Sequence, residues 1–458
     1  MTGEVVDPRT GEPLGAVPWL APDQTPAVAA AALEAAGAWA DTAVGERCRL
    51  ILRMADLLEE RLPAVAAAFS REQGKSEAEA AAELIRAVDT LRWSAGEAAR
   101  LTVPAALPER AGTVREVRVE PAGPVLAIVP WNFPAVVLAR KLGPALAMGC
   151  PVVVKAADET PSVTDAFRTA ASRAGLPEGV LQMVHTGPDG AQALVRRPEF
   201  GVVSFTGSTR VGRLVAAAAA GTLTPCVLEL GGHAPAIVTA DADLDLAASA
   251  LAAAKFGSAG QSCGAPSRFI VDRAIHDAFV ERFMEQAPLC DYERDGAGRP
   301  GTMGPLNNPR RQAEVHALVT DATDRGARLR LGGRVPQTPG FYYPATVLTE
   351  LHTRSRVLRE EPFGPVAPVI PYDGDHEAIA LANDCDYALS AYVFGDPNHA
   401  DRLSRALNAG SVSVNLASGA APDAPLGGRG ISGYGYEGGE PGMLAFGRLK
   451  AVQSRLSE

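Results

Sequence analysis

PVLAIVPWNFPAVVLARKLGPALAMGCPVVVKAADETP, residues 124–161, holds two short apolar runs, Val125 to Val129 and Val152 to Val154, on either side of a helical stretch. A strand covered on both faces shows such an unbroken run, whereas a half-exposed strand alternates. The unit recurs downstream at Val180 to Val184, Val202 to Phe205 and Val227 to Leu230, with helical segments and Gly, Pro or Asp punctuation between the runs. Strands alternating with helices predict a parallel sheet sandwiched by helices, an α/β architecture. The alternation resumes after Asp241 with a helix from Leu244 to Phe256, a turn at Gly257 to Gly260 and a strand at Arg268 to Val271, which predicts a second α/β unit. Upstream, Ala27 to Gly96 is Ala-rich, and Leu50, Ile51, Met54, Leu57 and Leu58 mark amphipathic helices. Val114 to Glu120 alternates at period two, as a strand outside the main sheet would. The glycine-rich Pro425 to Gly447 reads as an extended loop.

With 458 residues, the chain has room for about three units of ~150 residues each. Its 47% hydrophobic and 21% charged residues are those of a globular protein, which excludes disordered and fibrous classes. A net charge of −10 gives no footing for a general nucleic-acid surface. The longest uncharged apolar stretch near the middle, Val125 to Ala139, is broken by Pro130 and Pro134, so no membrane span is expected. The first residues, MTGEVVDPRTGEP, lack the basic and apolar regions of a secretory signal, and a cytoplasmic location is expected. Cys48, Cys150, Cys226, Cys263, Cys290 and Cys385 are far apart without a C-x-x-C, which predicts mostly buried, reduced thiols. The seven histidines form no H-E-x-x-H pair, and no metal site is expected. Two G-x-G-x-x-G matches, at Gly428/Gly430/Gly433 and Gly433/Gly435/Gly438, lack the strand before and the helix after that a dinucleotide fingerprint needs. Gly74-Lys75-Ser76 has Phe69 where a phosphate loop needs its first glycine, and reads as a helix end.

Four segments carry chemistry. Cys263 lies in the small-residue loop Gly257-Ser258-Ala259-Gly260-Gln261-Ser262-Cys263-Gly264, where a thiol can be approached, although such a cysteine alone is commonly structural. Glu229 ends an apolar strand, where a carboxylate is costly unless it is paired or functional. Asn132, in Pro130-Trp131-Asn132-Phe133-Pro134, is either a turn residue or an amide that can donate to a developing oxyanion. In Phe205-Thr206-Gly207-Ser208-Thr209-Arg210 a strand ends and a helix begins, so free N–H groups face an anion, or Ser208 is simply the helix cap.

Together with Lys155-Ala156-Ala157-Asp158-Glu159-Thr160-Pro161, Glu361-Pro362-Phe363-Gly364-Pro365 and Pro425-Leu426-Gly427-Gly428, these motifs resemble the aldehyde dehydrogenase superfamily in order along essentially the whole chain. The resemblance implies a three-part fold: a doubly wound NAD-binding domain (residues 1–102 and 122–230), an α/β catalytic domain (231–430) and a small β bridging or oligomerisation element (103–121 and 431–458). It implies Cys263 as nucleophile, Glu229 as general base and Asn132 as oxyanion donor. It also implies cofactor contacts from Ile128, Trp131, Lys155, Asp158, Gly207, Ser208, Leu230, Glu361 and Phe363, and assembly as a homodimer or homotetramer. Asp158 would bind the adenosine ribose 2′-OH and repel a 2′-phosphate, so NAD is expected over NADP. The presence of Glu229 argues against the coenzyme-A-acylating branch.

Substrate class turns on Arg140, nine residues beyond Trp131, where succinic semialdehyde dehydrogenases carry an Arg suited to gripping a carboxylate. The second pocket Arg of that branch is Gly257 here, Ser258 replaces its usual Asn, and Ser418 to Asp423 lacks its serine. The expected substrate is therefore an aldehyde with an anionic group, bulkier than succinic semialdehyde. The alternatives are a neutral aliphatic or aromatic aldehyde, with Arg140 in a structural ion pair, and a non-redox thioesterase-like or esterase-like cysteine enzyme.

Overall fold

A computed structural model describes residues 1–110, 113–290 and 302–455. The predicted first unit is a six-stranded sheet in the order Gly433–Tyr434, Cys226–Glu229, Val202–Thr206, Val125–Ile128, Val152–Lys155 and Leu181–Val184. Every neighbouring pair is parallel except the Gly433–Tyr434 edge. From Val125–Ile128 the chain winds outward through 152 and 181, then returns to the other side of the starting strand at 202 and 226. That reversal opens a crevice at the carboxyl ends of Val125–Ile128 and Val202–Thr206, where doubly wound sheets bind ligands. Trp131-Asn132 and Gly207-Ser208 leave the sheet at those two ends.

A second, seven-stranded sheet runs Arg328–Leu331, Thr346–Thr349, Val366–Tyr372, Pro266–Asp272, Ala234–Val238, Ser390–Phe394, Ser411–Val414. Its only antiparallel pair among the described residues is the first. The helix leading to the nucleophile loop, Leu244–Phe256, has its expected bounds and is capped by Asp243, whose carboxylate accepts the Leu246 N–H at 3.0 Å. A three-stranded ribbon, Gly447–Arg455, Thr113–Pro121 and Ala105–Arg110, stands apart from both sheets.

Local chemistry sets the helices that frame the crevice. Gly74, at φ +95°, ends Leu62–Gln73, as the reading of Gly74-Lys75-Ser76 requires. Ser76 and Glu79 then form a reciprocal capping box that starts Glu77–Leu101. The apolar face of that helix, with Ala80, Leu84, Ala87 and Leu91, packs against Pro134–Ala147. Leu142 and Leu146 are fully buried there, each worth about 1.5–3 kcal/mol of transfer free energy.

Two expectations need correction. Pro425 to Gly447 is not a plain loop: it holds the strands Arg429–Gly430 and Gly433–Tyr434 and the helical turn Gly439–Leu444. Two-residue strands are too short to show a period, so the sequence pattern could not reveal them. Among the cysteines only Cys150 is buried, and the other five are partly exposed.

Candidate active site

The loop that carries Cys263 turns sharply through three successive left-handed residues, Ser258 (φ +48°), Ala259 (φ +53°) and Gly260 (φ +71°). Such geometry is disfavoured for Ser and Ala, and neighbours hold it in place. Gln261, fully buried, is held at three points: its Nε2 donates to Ser258 O at 3.0 Å, its Oε1 accepts Asn307 N–H at 2.9 Å, and its carbonyl accepts Asn132 Nδ2 at 2.9 Å. Asn132 is thereby tied to the loop two residues before the nucleophile, and its own carbonyl accepts from Lys75 Nζ at 3.0 Å. Lys75 is itself paired with buried Glu83. An amide has two N–H donors, so Asn132 keeps one for a ligand.

The Glu229 turn presses on the same loop, since a Cβ on Gly232 would lie 2.1 Å from Cys263 O. Glu229 is 3% exposed, and neither carboxylate oxygen has a hydrogen-bond partner among the described residues. Burial raises its carboxyl well above the usual range, Glu437 raises it further, and Lys141 and Arg140 oppose this. Glu437 stands nearby because Gly433 pairs with Glu229 along the sheet edge. Its carboxylate takes the buried Lys141 ammonium, which also donates to Ser204 Oγ at 2.9 Å. Burial pushes the Cys263 thiol up to about 12, with the charges of Glu361 and Glu229 acting in the same direction. Burial and neighbouring carboxylate charge thus work in one direction on both groups, favouring the neutral carboxyl and the neutral thiol.

Several of the residues expected at the cofactor stand at the carboxyl ends of the first sheet. Ser208 caps Thr209–Ala219, its hydroxyl accepting the Val211 N–H, as the helix-cap reading expects. A Cβ on Gly207 would meet the Phe205 ring at 2.5 Å, and Thr206 Oγ1 is buried without a partner. Leu230 packs on Gly212, and Ile128 is buried at its strand end. Phe363 meets Trp131 edge-on with centroids 5.8 Å apart. Glu361 accepts the Gly232 N–H at 3.0 Å, and burial lifts it to about 7. Lys155 ends its strand, and Asp158 follows with its carboxylate already accepting from Trp19 Nε1 at 2.7 Å and meeting His185 Nδ1 at 3.1 Å. Spare lone pairs remain on that carboxylate.

Arg140 is 7% exposed; its Nη2 donates to Ala420 O at 2.5 Å and its Nη1 is buried with no partner. No carboxylate forms a salt bridge with it among the described residues, which leaves the structural ion-pair reading without its acid. Reading the motifs alone missed Gln261 as a brace, the Lys141–Glu437 pair beside the base, the Lys75–Glu83 pair behind Asn132, and Arg311, which lies over the Phe363 ring at 5.8 Å. Lys141 was visible beside Arg140, but its partner lies 296 positions away. Among the described residues no cluster of His, Cys, Asp or Glu is arranged to hold a metal, and no helix is long and apolar enough to cross a membrane.

Residues 1–452 match the family model described as the aldehyde dehydrogenase family. A 4-(hydroxymethyl)benzenesulfonate dehydrogenase of Comamonas testosteroni, TsaD1, is 40% identical over 96% of this chain and 92% of its own length. The NADP(+) succinate-semialdehyde dehydrogenase GabD of Escherichia coli K12 is 36% identical over 98% and 93%. The crystal structure of a succinate-semialdehyde dehydrogenase from Burkholderia pseudomallei superposes with a TM-score of 0.96 at 37% identity, covering 100% of this chain and 95% of that one. With matching segments along its whole length and the same two-sheet architecture, this chain belongs to the aldehyde dehydrogenase family, as an oxidoreductase that acts on aldehydes.

Proposed function

We propose that this enzyme oxidises an aldehyde bearing an anionic group to the carboxylic acid, with NAD preferred as the hydride acceptor. The observation that carries the substrate reading is the buried, unpartnered Nη1 of Arg140, a guanidinium within electrostatic reach of both Cys263 and Glu229. The charges of Glu437 and Glu229 act on Arg140 without a direct ion pair among the described residues, and an anionic substrate would supply one. The names of the relatives agree with this: one is named for a benzenesulfonate and another for succinate semialdehyde.

In this reading the Cys263 sulfur forms a bond to the aldehyde carbon as its proton passes to solvent water. The carbonyl oxygen becomes an oxyanion, held by Asn132 Nδ2 and the Cys263 backbone N–H; losing one such donor costs about 3–4 kcal/mol of barrier. Glu361 and Phe363 would hold the nicotinamide end of NAD, and Lys155, Asp158, Gly207 and Ser208 its adenosine and phosphate end, and the cofactor would there supply a hydride acceptor. The thioester left on Cys263 is hydrolysed by water that Glu229 deprotonates: a C–O bond forms, the C–S bond breaks, and the sulfur regains a proton.

We assign residues 1–102 and 122–230 to the NAD-binding domain, 231–430 to the catalytic domain, and 103–121 with 431–458 to the bridging element. The outer edge of Gly447–Arg455 is unpaired and Leu449 is 75% exposed, which supports a homodimer or homotetramer built through the ribbon. The free thiols of Cys48, Cys150, Cys226, Cys263 and Cys385 agree with a reducing, cytoplasmic setting.

Two measurements test the reading. On a panel of aldehydes with and without a carboxylate, Arg140→Met should lower kcat/KM for succinic semialdehyde about 100-fold and for a neutral aldehyde far less. Equal losses on both would end the anionic-substrate reading. Asp158→Asn keeps an oxygen for Trp19 but removes the charge, and should raise NADP use relative to NAD about tenfold. Cofactor titration followed by tryptophan fluorescence should show the same change, and an unaltered ratio would assign selectivity elsewhere.

A further inference from the structure

Helices Glu77–Leu101 and Pro134–Ala147 pack side by side in a register fixed at two points. Glu83 Oε1 accepts the Ala135 N–H at 2.8 Å, and a Cβ on Gly143 would stand 2.6 Å from Ser94 Oγ. On the first helix Glu79, Ala82 and Arg86, spaced by three and four, share one stripe. Its inner end meets the nucleophile loop, where Glu79 Oε1 accepts the Ser258 N–H at 2.7 Å. Beside it, a Cβ on Gly257 would find nothing nearer than 4.0 Å. Further out, Ala82 and Arg86 are exposed, with Arg86 about two turns, or ~10 Å, from Glu79. The stripe thus runs from the loop that carries Cys263 outward to solvent, and the small residues Ala82 and Gly257 leave space along it.

Arg86 makes no side-chain hydrogen bond or ion pair among the described residues, although Asp89 is one turn away on its own helix. Counted from the Glu83–Ala135 contact, Arg86 lies three residues on along its helix and Arg140 five residues on along the other, so the packed pair carries the two guanidinium groups at neighbouring levels; the field of Arg86 at Arg140 comes after burial and the charges of Glu437, Glu229 and Cys263. Two like charges at neighbouring levels of a helix pair repel each other, and an oxyanion bound by both relieves that repulsion.

We propose that Arg86 is a second specificity-determining residue, which together with Arg140 grips the anionic end of an extended aldehyde, one with a carboxylate or sulfonate on a ring or long chain. This rests on the anionic-substrate reading above and narrows it. A short semialdehyde would reach Arg140 alone, whereas a longer one carries its charge out to Arg86. Gly257 and Ala82 provide the room that a ring requires.

The test is the ratio of kcat/KM on 4-carboxybenzaldehyde to that on benzaldehyde. Arg86→Met should lower this ratio about tenfold, mainly through KM, and Arg86→Lys should restore most of it. Arg86→Glu should lower it about 100-fold, and added salt should shrink the wild-type ratio toward that of the Met variant. Met is as good a helix former as Arg, so the fold of this exposed position is preserved, which circular dichroism checks. A ratio unchanged in Arg86→Met while Arg140→Met collapses it overturns the role of Arg86 alone. A ratio unchanged in both overturns the anionic reading as well.

Discussion

Cys263→Ala is expected to abolish aldehyde oxidation, with kcat/KM falling ~10⁴-fold or more, while cofactor binding followed by tryptophan fluorescence stays intact. The size of the effect follows from chemistry: among the groups at this site, only a thiolate offers enough nucleophilicity to form and then release a thioester. The resting thiol, pushed up to about 12, is a poor nucleophile until the charges around it change. Cys263→Ser should therefore fare hardly better than Ala, because an alcohol in the same low-dielectric setting is harder still to ionise. Residual oxidation within tenfold of wild type would remove Cys263 from the mechanism. Retained hydrolysis of activated esters without any cofactor would favour the non-redox alternative.

Glu229→Gln should separate the two halves of the reaction. Glu229 adds negative charge near the thiol, and the neutral amide removes it, so thiolate formation is eased and acylation survives. Hydrolysis loses its base, and steady-state turnover should fall about 10²–10⁴-fold. A burst of about one NADH per active site followed by a slow phase is the expected trace. The pH profile gives an independent check. A carboxyl raised above its usual range is protonated, and inactive as a base, at acidic pH, so wild-type turnover should climb as pH rises through that elevated value. The variant should lose this limb. Loss of the burst together with turnover would instead assign Glu229 to thiol activation.

Sequence alone revealed those parts of the molecule whose signal is local. The unbroken run Val152 to Val154 could only be a strand covered on both faces, and its neighbours repeat it. A carboxylate closing the strand Cys226–Glu229 is anomalous in any apolar setting, so Glu229 stands out from its immediate neighbours along the chain. What stayed hidden depends on contacts between distant segments. The Lys141 ammonium finds Glu437 only after the tail folds back onto the sheet edge, and Asp158 is engaged by Trp19 and His185 from opposite directions along the chain. Arg86 sits on an ordinary exposed helix position, and its relation to Arg140 arises from how the two helices pack.

The left-handed turn at Ser258 and Ala259 also limits what can be borrowed from this enzyme. Each such residue costs on the order of 1–3 kcal/mol in isolation, so the segment from Gly257 to Gly264 would relax to another shape if cut free. Its shape is enforced by Asn132, Asn307 and the backbone of Gly364, which come from three separate stretches of chain. The reactive sulfur is thus a property of the assembled scaffold. Transplanting the octapeptide into a foreign loop would carry over the cysteine and leave its orientation behind.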